Sequence, residues 1–251
     1  MTGLGWLCRR EVLRVSKLWT QTVLAPVIAS ILFILVFGLS LGGRIDQVSG
    51  VDYEVFIVPG LITMGMVQAA YANNSSSVFQ ARFDRYINDI LSAPMPSWQI
   101  CVGYLVGGFF RSLMIGGLLL VLTALLVGVP VEQPFALVAA IAVGLLLFAS
   151  LGVIVGIYAE VWDFTTFINN IVILPLVFVG GVFYSIDVLP SPWEELSHAN
   201  PVFYLVNAVR FGFLGESDVS FWLSLGVTAA LAVPAFLWAQ YLFSSGKRLK
   251  P

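Results

Sequence analysis

The chain has 251 residues, of which 59% are hydrophobic and only 10% carry a charge, with a formal net charge of −2. An average soluble domain is about 25% charged. This chain has too few charged residues to cover a water-exposed surface, so a soluble globular protein is excluded. The expected solvent is lipid. There the backbone must satisfy its own hydrogen bonds, and uninterrupted apolar runs of about 20 residues predict helices, since barrel strands alternate over about 10 residues.

The first predicted element is an interfacial helix over residues 3–20. Its apolar face carries residues at helical spacing, namely Cys8, Val12, Val15 and Trp19. Its opposite face is basic, with Arg10, Arg14 and Lys17. This pattern is typical of a helix lying among lipid headgroups. The alternative is that these residues are only a charged flank of the first span. The first span itself is expected to remain in the mature protein, because its apolar run is too long for a signal peptide.

The apolar runs predict an all-α membrane protein with six transmembrane helices, over residues 23–43, 56–79, 99–127, 135–158, 166–185 and 219–243. The second of these becomes polar at residues 73–77, which we expect to face protein or water. Three pairs of small residues at a spacing of four predict close approach between helices: Gly38/Gly42, Gly103/Gly107 and Gly152/Gly156.

Residues 80–98 lie between the second and third spans. Residues 80–91 are predicted to form an amphipathic helix whose apolar face carries Phe83, Ile87, Ile90 and Leu91 and which ends before Pro94 and Pro96. A chain without its own motor could receive force here from a soluble partner. The alternative is a helix that contacts only lipid headgroups.

Residues 186–216 do not read as an ordinary loop. Asn200 and Pro201 break one helix, and the apolar stretch that follows, to Leu214, is too short to cross a bilayer. We therefore predict a re-entrant or interfacial outer segment, followed by the sixth span.

The distribution of charge predicts the orientation. An even number of spans places both ends on one side. Of the 12 Lys and Arg residues, that side carries nine, the other side carries only Arg44 and Arg210, and Arg111 lies inside the third span. The positive-inside rule therefore predicts cytosolic termini.

The chemistry that the sequence lacks narrows the function. No phosphate-binding GxxxxGK[ST] loop occurs, so the chain is not expected to bind ATP, and no grouping of catalytic residues predicts an enzyme or a metal site. No acidic residue lies deep in a span, which disfavours an ion-coupled carrier. Arg111 has two possible roles. In a functional role it contacts an anionic substrate or forms a conformational ion pair, and in a structural role it packs against backbone carbonyls.

Three stretches resemble ABC-2 type permeases, and most closely the YadH-like and NodJ-like bacterial permeases. The three stretches of this chain have the sequences FDRYINDILSAPMPSWQICVGY, LPLVFVGGVFYSIDVLP and WEELSHANPVFYLVNAVRFGFLG. The last contains an asparagine–proline pair followed by an arginine. The resemblance implies a dimer with a second copy of the permease. It also implies two copies of a separate cytosolic ATPase, which would hold ATP and Mg²⁺.

The resemblance also implies roles for particular residues. It makes residues 80–91 a coupling helix whose contacts to the ATPase are Arg82, Phe83, Asp84, Arg85, Ile87, Asp89 and Ile90. The interfacial helix, with Arg10, Arg14 and Lys17, would help to seat the ATPase. The outer segment, with Asn200, Pro201 and Arg210, would cap the exit path.

The function expected from this resemblance is export of a lipid, glycolipid, polysaccharide or hydrophobic drug across a bacterial inner membrane. Membrane lipid is an expected partner and nucleic acid is not. One alternative is a channel or scaffold protein that needs no ATPase, and a lipid-modifying membrane enzyme ranks last.

Overall fold

The computed structural model describes residues 3–41, 47–48, 50–186 and 191–249, and all of their side chains except those of 38–41 and 47. Within them the helices are α1 Gly3–Lys17, α2 Ala25–Leu41, α3 Tyr53–Phe83, α4 Ile87–Ser92, α5 Ser97–Leu126, α6 Pro134–Tyr158, α7 Trp162–Ile168, α8 Leu174–Phe178, α9 Trp193–His198, α10 Pro201–Leu214 and α11 Phe221–Ser245. A π-helical turn, Thr20–Leu24, precedes α2, and a second, Asn169–Ile173, joins α7 to α8. Strands β1 Gln47–Val48 and β2 Val51–Asp52 form an antiparallel hairpin in which Val48 pairs with Val51.

The long apolar runs form the helices that the sequence predicts. Five helical stretches of the described residues are long and apolar enough to cross a membrane, namely Thr20–Phe37, α3, α5, α6 and α11. The predicted span at 166–185 corresponds to the shorter apolar stretch Trp162–Phe178. That helix ends early because the chain turns at Gly181, whose φ of 75° is a left-handed conformation that glycine adopts without steric cost.

Helix α3 is the centre of the bundle. In its most apolar window 72% of the residues are buried, against 22% in the window of α11, so α3 is surrounded by protein and α11 lies at the periphery. Gly152 and Gly156 let α6 approach it closely, as the sequence predicts. A Cβ at Gly156 would lie 2.7 Å from the carbonyl oxygen of Ser75. Of the predicted pair Gly38/Gly42, Gly42 lies outside the described residues.

One end of the bundle holds both described ends of the chain and is here called the terminal face. Arg82, at the end of α3, donates hydrogen bonds from Nη1 to the carbonyls of Gly156 (3.1 Å) and Ala159 (2.8 Å) at the end of α6. Arg248 stacks on the ring of Tyr158 at 5.0 Å. The ends of α3, α6 and α11 therefore meet at this face, together with α1 and α4.

The other end is here called the opposite face. The N–H groups of Glu132 and Gln133 donate to the carbonyls of Phe213 (3.1 Å) and Gly212 (3.0 Å), which joins the start of α6 to the end of α10. The short apolar helix predicted within 186–216 is α10. Residues 187–190 of that predicted segment lie outside the described residues.

Candidate coupling surface and its buried polar network

The buried stripe of α1 differs from the predicted one. Leu7, Glu11 and Val15 are buried in the protein at successive intervals of four residues, whereas Trp19, predicted on the apolar face, is 50% exposed. Arg10 and Arg14, predicted on the opposite face, turn toward the bundle, and Lys17 is exposed. The helix is therefore rotated so that a carboxylate and two guanidinium groups face α3 and α5.

Glu11 is the centre of a polar cluster. Its side chain is fully buried, and its carboxylate pairs with Arg10 Nη1 at 2.9 Å and with Arg14 Nη2 at 3.3 Å. Ser77 of α3 donates from Oγ to this carboxylate, 2.9 Å from both oxygens. A buried charge is tolerated when it is paired and hydrogen-bonded in this way.

The cluster continues into the bundle through α3. Arg14 donates to the carbonyl oxygen and the side-chain Oδ1 of Asn73, each at 3.0 Å. Asn73 Nδ2 donates to Asn74 Oδ1 at 3.2 Å, and Asn74 Nδ2 donates to the carbonyl of Ala149 in α6 at 3.1 Å. The polar run 73–77 therefore faces protein, as predicted.

Gly103 and Gly107 of α5 make room for α1. A Cβ at Gly107 would lie 2.8 Å from Asn73 Nδ2 and 2.9 Å from Glu11 Oε2, so only glycine leaves space for the cluster. At Gly103 the same atom would overlap Leu7. This predicted small-residue pair therefore seats α1.

The segment predicted as one helix over 80–91 is two pieces. Helix α3 ends at Phe83, the chain turns through residues 84–86 with Arg85 at a left-handed φ of 63°, and α4 then begins at Ile87. The exposed residues around this turn form what is here called the turn surface: Phe83, Asp84, Arg85, Asn88 and Asp89. Phe83 is 73% exposed.

Three residues of the predicted ATPase contact set do not present a free surface. Ile87 is fully buried in the core, so it packs within this chain and is removed from the predicted set. Arg82 is bound to the carbonyls at the end of α6. Ile90 is half-buried and packs against the core. The turn surface retains the exposed members Phe83, Asp84, Arg85 and Asp89.

Arg10 connects the cluster to the turn. Its guanidinium lies 4.4 Å from the centre of the Tyr86 ring and donates to the Tyr86 hydroxyl. Burial by itself would lower the pKa of Arg10, but attraction by Glu11 and Tyr86 outweighs it, so the pKa is raised. Burial raises the pKa of Tyr86. Arg10 therefore stays charged and Tyr86 neutral near pH 7, and their contact does not depend on pH there.

Arg111 contacts the backbone of the first span. Its Nε donates to the carbonyl of Thr22 at 3.0 Å, within the π-helical turn Thr20–Leu24. A π-helical turn interrupts the regular pattern of i to i+4 hydrogen bonds, and here one of its carbonyls accepts from a side chain. This geometry favours the packing alternative, and a substrate contact stays a prediction.

The predicted residues of the outer segment hold α10 in place. Asn200 caps α10 by accepting from the N–H of Val202 (3.0 Å), and its Nδ2 donates to the carbonyl of Leu176 in α8 (2.6 Å). Pro201 occupies the first turn of α10, where its missing N–H costs nothing. The Asn-Pro pair therefore starts α10 and joins it to α8.

Arg210 belongs to α10, and its side chain is buried. It donates from Nη2 to the carbonyl of Gly181 at 2.7 Å, pairs through Nη1 with Asp218 at 3.5 Å and lies 4.1 Å from the centre of the Phe56 ring. The arginine therefore joins three segments at the opposite face, the turn after α8, the loop before α11 and the start of α3.

Glu11, Ser77, Tyr86 and Asp218 are site residues that the sequence alone does not single out. One signal was available for Glu11, which lies four residues from both Leu7 and Val15 on an apolar stripe. The others depend on contacts between residues far apart in sequence.

The chain is similar to known transport proteins. A family model described as ABC-2 type transporter matches residues 2–214. The inner membrane transport permease YadH of Escherichia coli (strain K12) is 36% identical over 241 residues, covering 96% of this chain and 94% of that protein. Nodulation protein J of Rhizobium leguminosarum bv. viciae is 25% identical over 238 residues, covering 94% and 92%. Nodulation protein J of Rhizobium meliloti (strain 1021) is 24% identical over 252 residues, covering 99% and 95%.

Proposed function

The chain belongs to the ABC-2 type transporter family, and from this premise we propose that it is the membrane-spanning permease subunit of an ATP-driven exporter. Two copies would pair in the bacterial inner membrane and bind two copies of a cytosolic ATPase, which holds ATP and Mg²⁺. The cargo would be a lipid, glycolipid, polysaccharide or hydrophobic drug that leaves the cytoplasm or the inner leaflet.

The observation that carries this proposal is the turn surface. Phe83 projects a large aromatic side chain from the end of the central helix α3, beside the exposed charges Asp84, Arg85 and Asp89. An exposed aromatic residue within a rim of mixed charges is typical of a protein-binding surface. Because the turn continues directly from α3, a partner bound there would act on the centre of the bundle.

The mechanism proposed here needs no chemistry in this chain. Closure of the ATPase subunits around ATP would move the turn surfaces of both permease copies, and the bundles would switch between inward and outward access. ATP can bias this switch only because the partner contacts the two states differently. Cargo would leave past α10, which Asn200 and Arg210 hold to its neighbours.

The orientation proposed here, with the terminal face in the cytosol, is testable by cysteine labelling. In a background with both native cysteines replaced, Glu194→Cys should react with a membrane-impermeant maleimide in intact cells. Ser245→Cys, exposed at the end of α11, should react only after the membrane is opened. Reaction of Glu194→Cys only after opening would contradict the orientation.

Removing the Phe83 side chain should weaken the ATPase partner's binding. Since aromatic hot spots typically contribute about 2 kcal/mol or more, Phe83→Ala should bind the ATPase about 30-fold more weakly or worse. The measurement is the affinity of purified permease in mild detergent for the ATPase subunit, with the rate of ATP hydrolysis by the complex.

The matched control is Phe135→Ala, because Phe135 is 91% exposed at the opposite face. It should bind the ATPase as the unmodified chain does. Equal binding by both variants would remove Phe83 from the interface. An unmodified chain that retains no ATPase would instead support an ATPase-independent channel or scaffold.

A further inference from the structure

Two routes lead from the turn surface into the bundle. The first is the backbone of α3, which stops at Phe83, so Arg85 and α4 lie beyond the helix end. The second runs through side chains, from Tyr86 to Arg10 of α1, then through Glu11 to Ser77 of α3. The second route joins the turn to α1 as well as to α3.

We propose that Glu11 is a positioning residue that locks α1, the 84–86 turn and α3 into one lever, through which movement of the turn reaches α3 at Ser77 and Asn73. This inference rests on the proposed function, since it assigns the path by which the ATPase partner's movement enters the bundle. Neither the resemblance nor the predicted contact set includes Glu11.

Burial explains why Glu11 is the fixed point. The Glu11 side chain has no exposure, whereas the side chains of Arg10 and Arg14 are 36% and 23% exposed. An arginine with one solvated edge can swing outward and be hydrated, but a carboxylate without solvent contact would lose every partner. Glu11 is therefore the member of the cluster held most firmly between α1 and α3.

The surroundings of Glu11 leave it little freedom. The α5 backbone at Gly107 lies so close that an added Cβ would sit 3.0 Å from the Glu11 Cβ. The carboxylate oxygens are both occupied by Ser77, and each is also paired with an arginine. A displacement of α1 would therefore move Ser77 with it, and Asn73 and Asn74 would carry it toward Ala149 in α6.

The first test measures distances in the complex of the permease with its ATPase. Spin labels at Ser92→Cys, at the exposed end of α4, and at Leu13→Cys, in a background without Cys8 and Cys101, report the turn and α4 relative to α1. A second pair, at Ser92→Cys and Leu125→Cys, reports the turn and α4 relative to the far end of α5. Trapping with ATP and vanadate should change the second distance and leave the first unchanged. A change in the first distance would overturn the single lever.

The second test removes contacts of the cluster without changing a charge. Ser77→Ala deletes the donor to Glu11, and Tyr86→Phe deletes the hydroxyl that accepts from Arg10. Both variants should bind the ATPase normally but lose at least half of the nucleotide-driven change between α3, labelled at Gln80→Cys, and Leu125→Cys, because Gln80 is the exposed residue of α3 next to Ser77. The matched control is Ser75→Ala, because Ser75 is equally buried on the same helix and its hydroxyl donates only to the carbonyl of Ala72.

The outcomes separate the two proposals. A full nucleotide-driven change in both Ser77→Ala and Tyr86→Phe overturns the role of Glu11 and leaves the proposed function intact. A loss in Ser75→Ala as large as in Ser77→Ala also overturns it, because the effect would then not depend on the cluster. An unmodified chain to which no ATPase binds overturns the proposed function together with the lever.

Discussion

Replacing Gly152 by alanine should destabilise the protein by about 1–3 kcal/mol, the usual cost of forcing extra atoms into a packed core. An alanine Cβ there would overlap the carbonyl oxygen of Tyr71 and lie 3.2 Å from the backbone nitrogen of Ser75 and 3.1 Å from the Asn74 Cβ. Two of these atoms belong to the backbone of α3, the central helix, and cannot rotate away. The clash can be relieved only by moving α6 away from α3.

The measurement is the midpoint of thermal unfolding of the purified protein in detergent. A change of 1 kcal/mol shifts that midpoint by roughly 2–4 °C in a chain of 150–250 residues. The matched control is Gly117→Ala, since an added Cβ at Gly117 in α5 meets nothing within 4 Å. That variant should be neutral or slightly more stable, because alanine favours a helix over glycine. Equal midpoints for both variants would contradict the close contact of α6 with α3.

The long helices could be predicted because membrane solvation makes them a local property of the sequence. A run of about 20 apolar residues satisfies its backbone only by forming a helix, whatever its neighbours are. The predicted boundaries of α5 and α6 accordingly lie within two residues of the observed ones. The end of α8 could not be predicted in this way, because it depends on residues far apart in the sequence. The chain leaves the helix at residues 179–186, and there the Gly181 carbonyl accepts a hydrogen bond from Arg210.

The break in the predicted coupling helix could not be read from the sequence. Residues 84–86 contain neither glycine nor proline, and the amphipathic pattern runs through them without a change of phase. The turn at Arg85 instead accompanies tertiary contacts, the full burial of Ile87 and the bond from Arg10 to Tyr86. A left-handed arginine is uncommon, and only such long-range packing makes it favourable.

The rotation of α1 was beyond sequence reasoning for a related reason. A charged residue counts toward the solvated face of a helix, so Glu11 shifts the predicted face away from the one that is buried. Its burial depends on Ser77, which lies 66 residues further along the chain, and on two arginines that would otherwise also count as solvated. The sequence pattern of α1 alone therefore cannot show that Ser77 is a partner of Glu11.

Replacing Asp218 by asparagine should destabilise the protein by about 3–5 kcal/mol, because it leaves Arg210 as a buried charge without its counter-ion. The side chains of Arg210 and Asp218 are only 3% and 7% exposed, so little water reaches the guanidinium to replace the lost carboxylate. Asp218 also accepts from the Ser185 hydroxyl at 2.9 Å and from the Ile186 N–H at 3.4 Å. An asparagine keeps one acceptor oxygen, so its amide group would face either the Ser185 hydroxyl, which can turn to accept, or the Ile186 N–H and Arg210, which cannot accept.

The effect should be visible as a fall in the thermal unfolding midpoint of Asp218→Asn larger than that of Gly152→Ala. Glu194→Gln is the matched control, because it neutralises an acid on the same face that is exposed and forms no ion pair within the described part of the chain. That change should alter stability by no more than about 0.5 kcal/mol. A midpoint for Asp218→Asn equal to that of the control would mean that the pair is solvated. Arg210 could then not be the group that fixes α10 to the turn after α8 and the loop before α11.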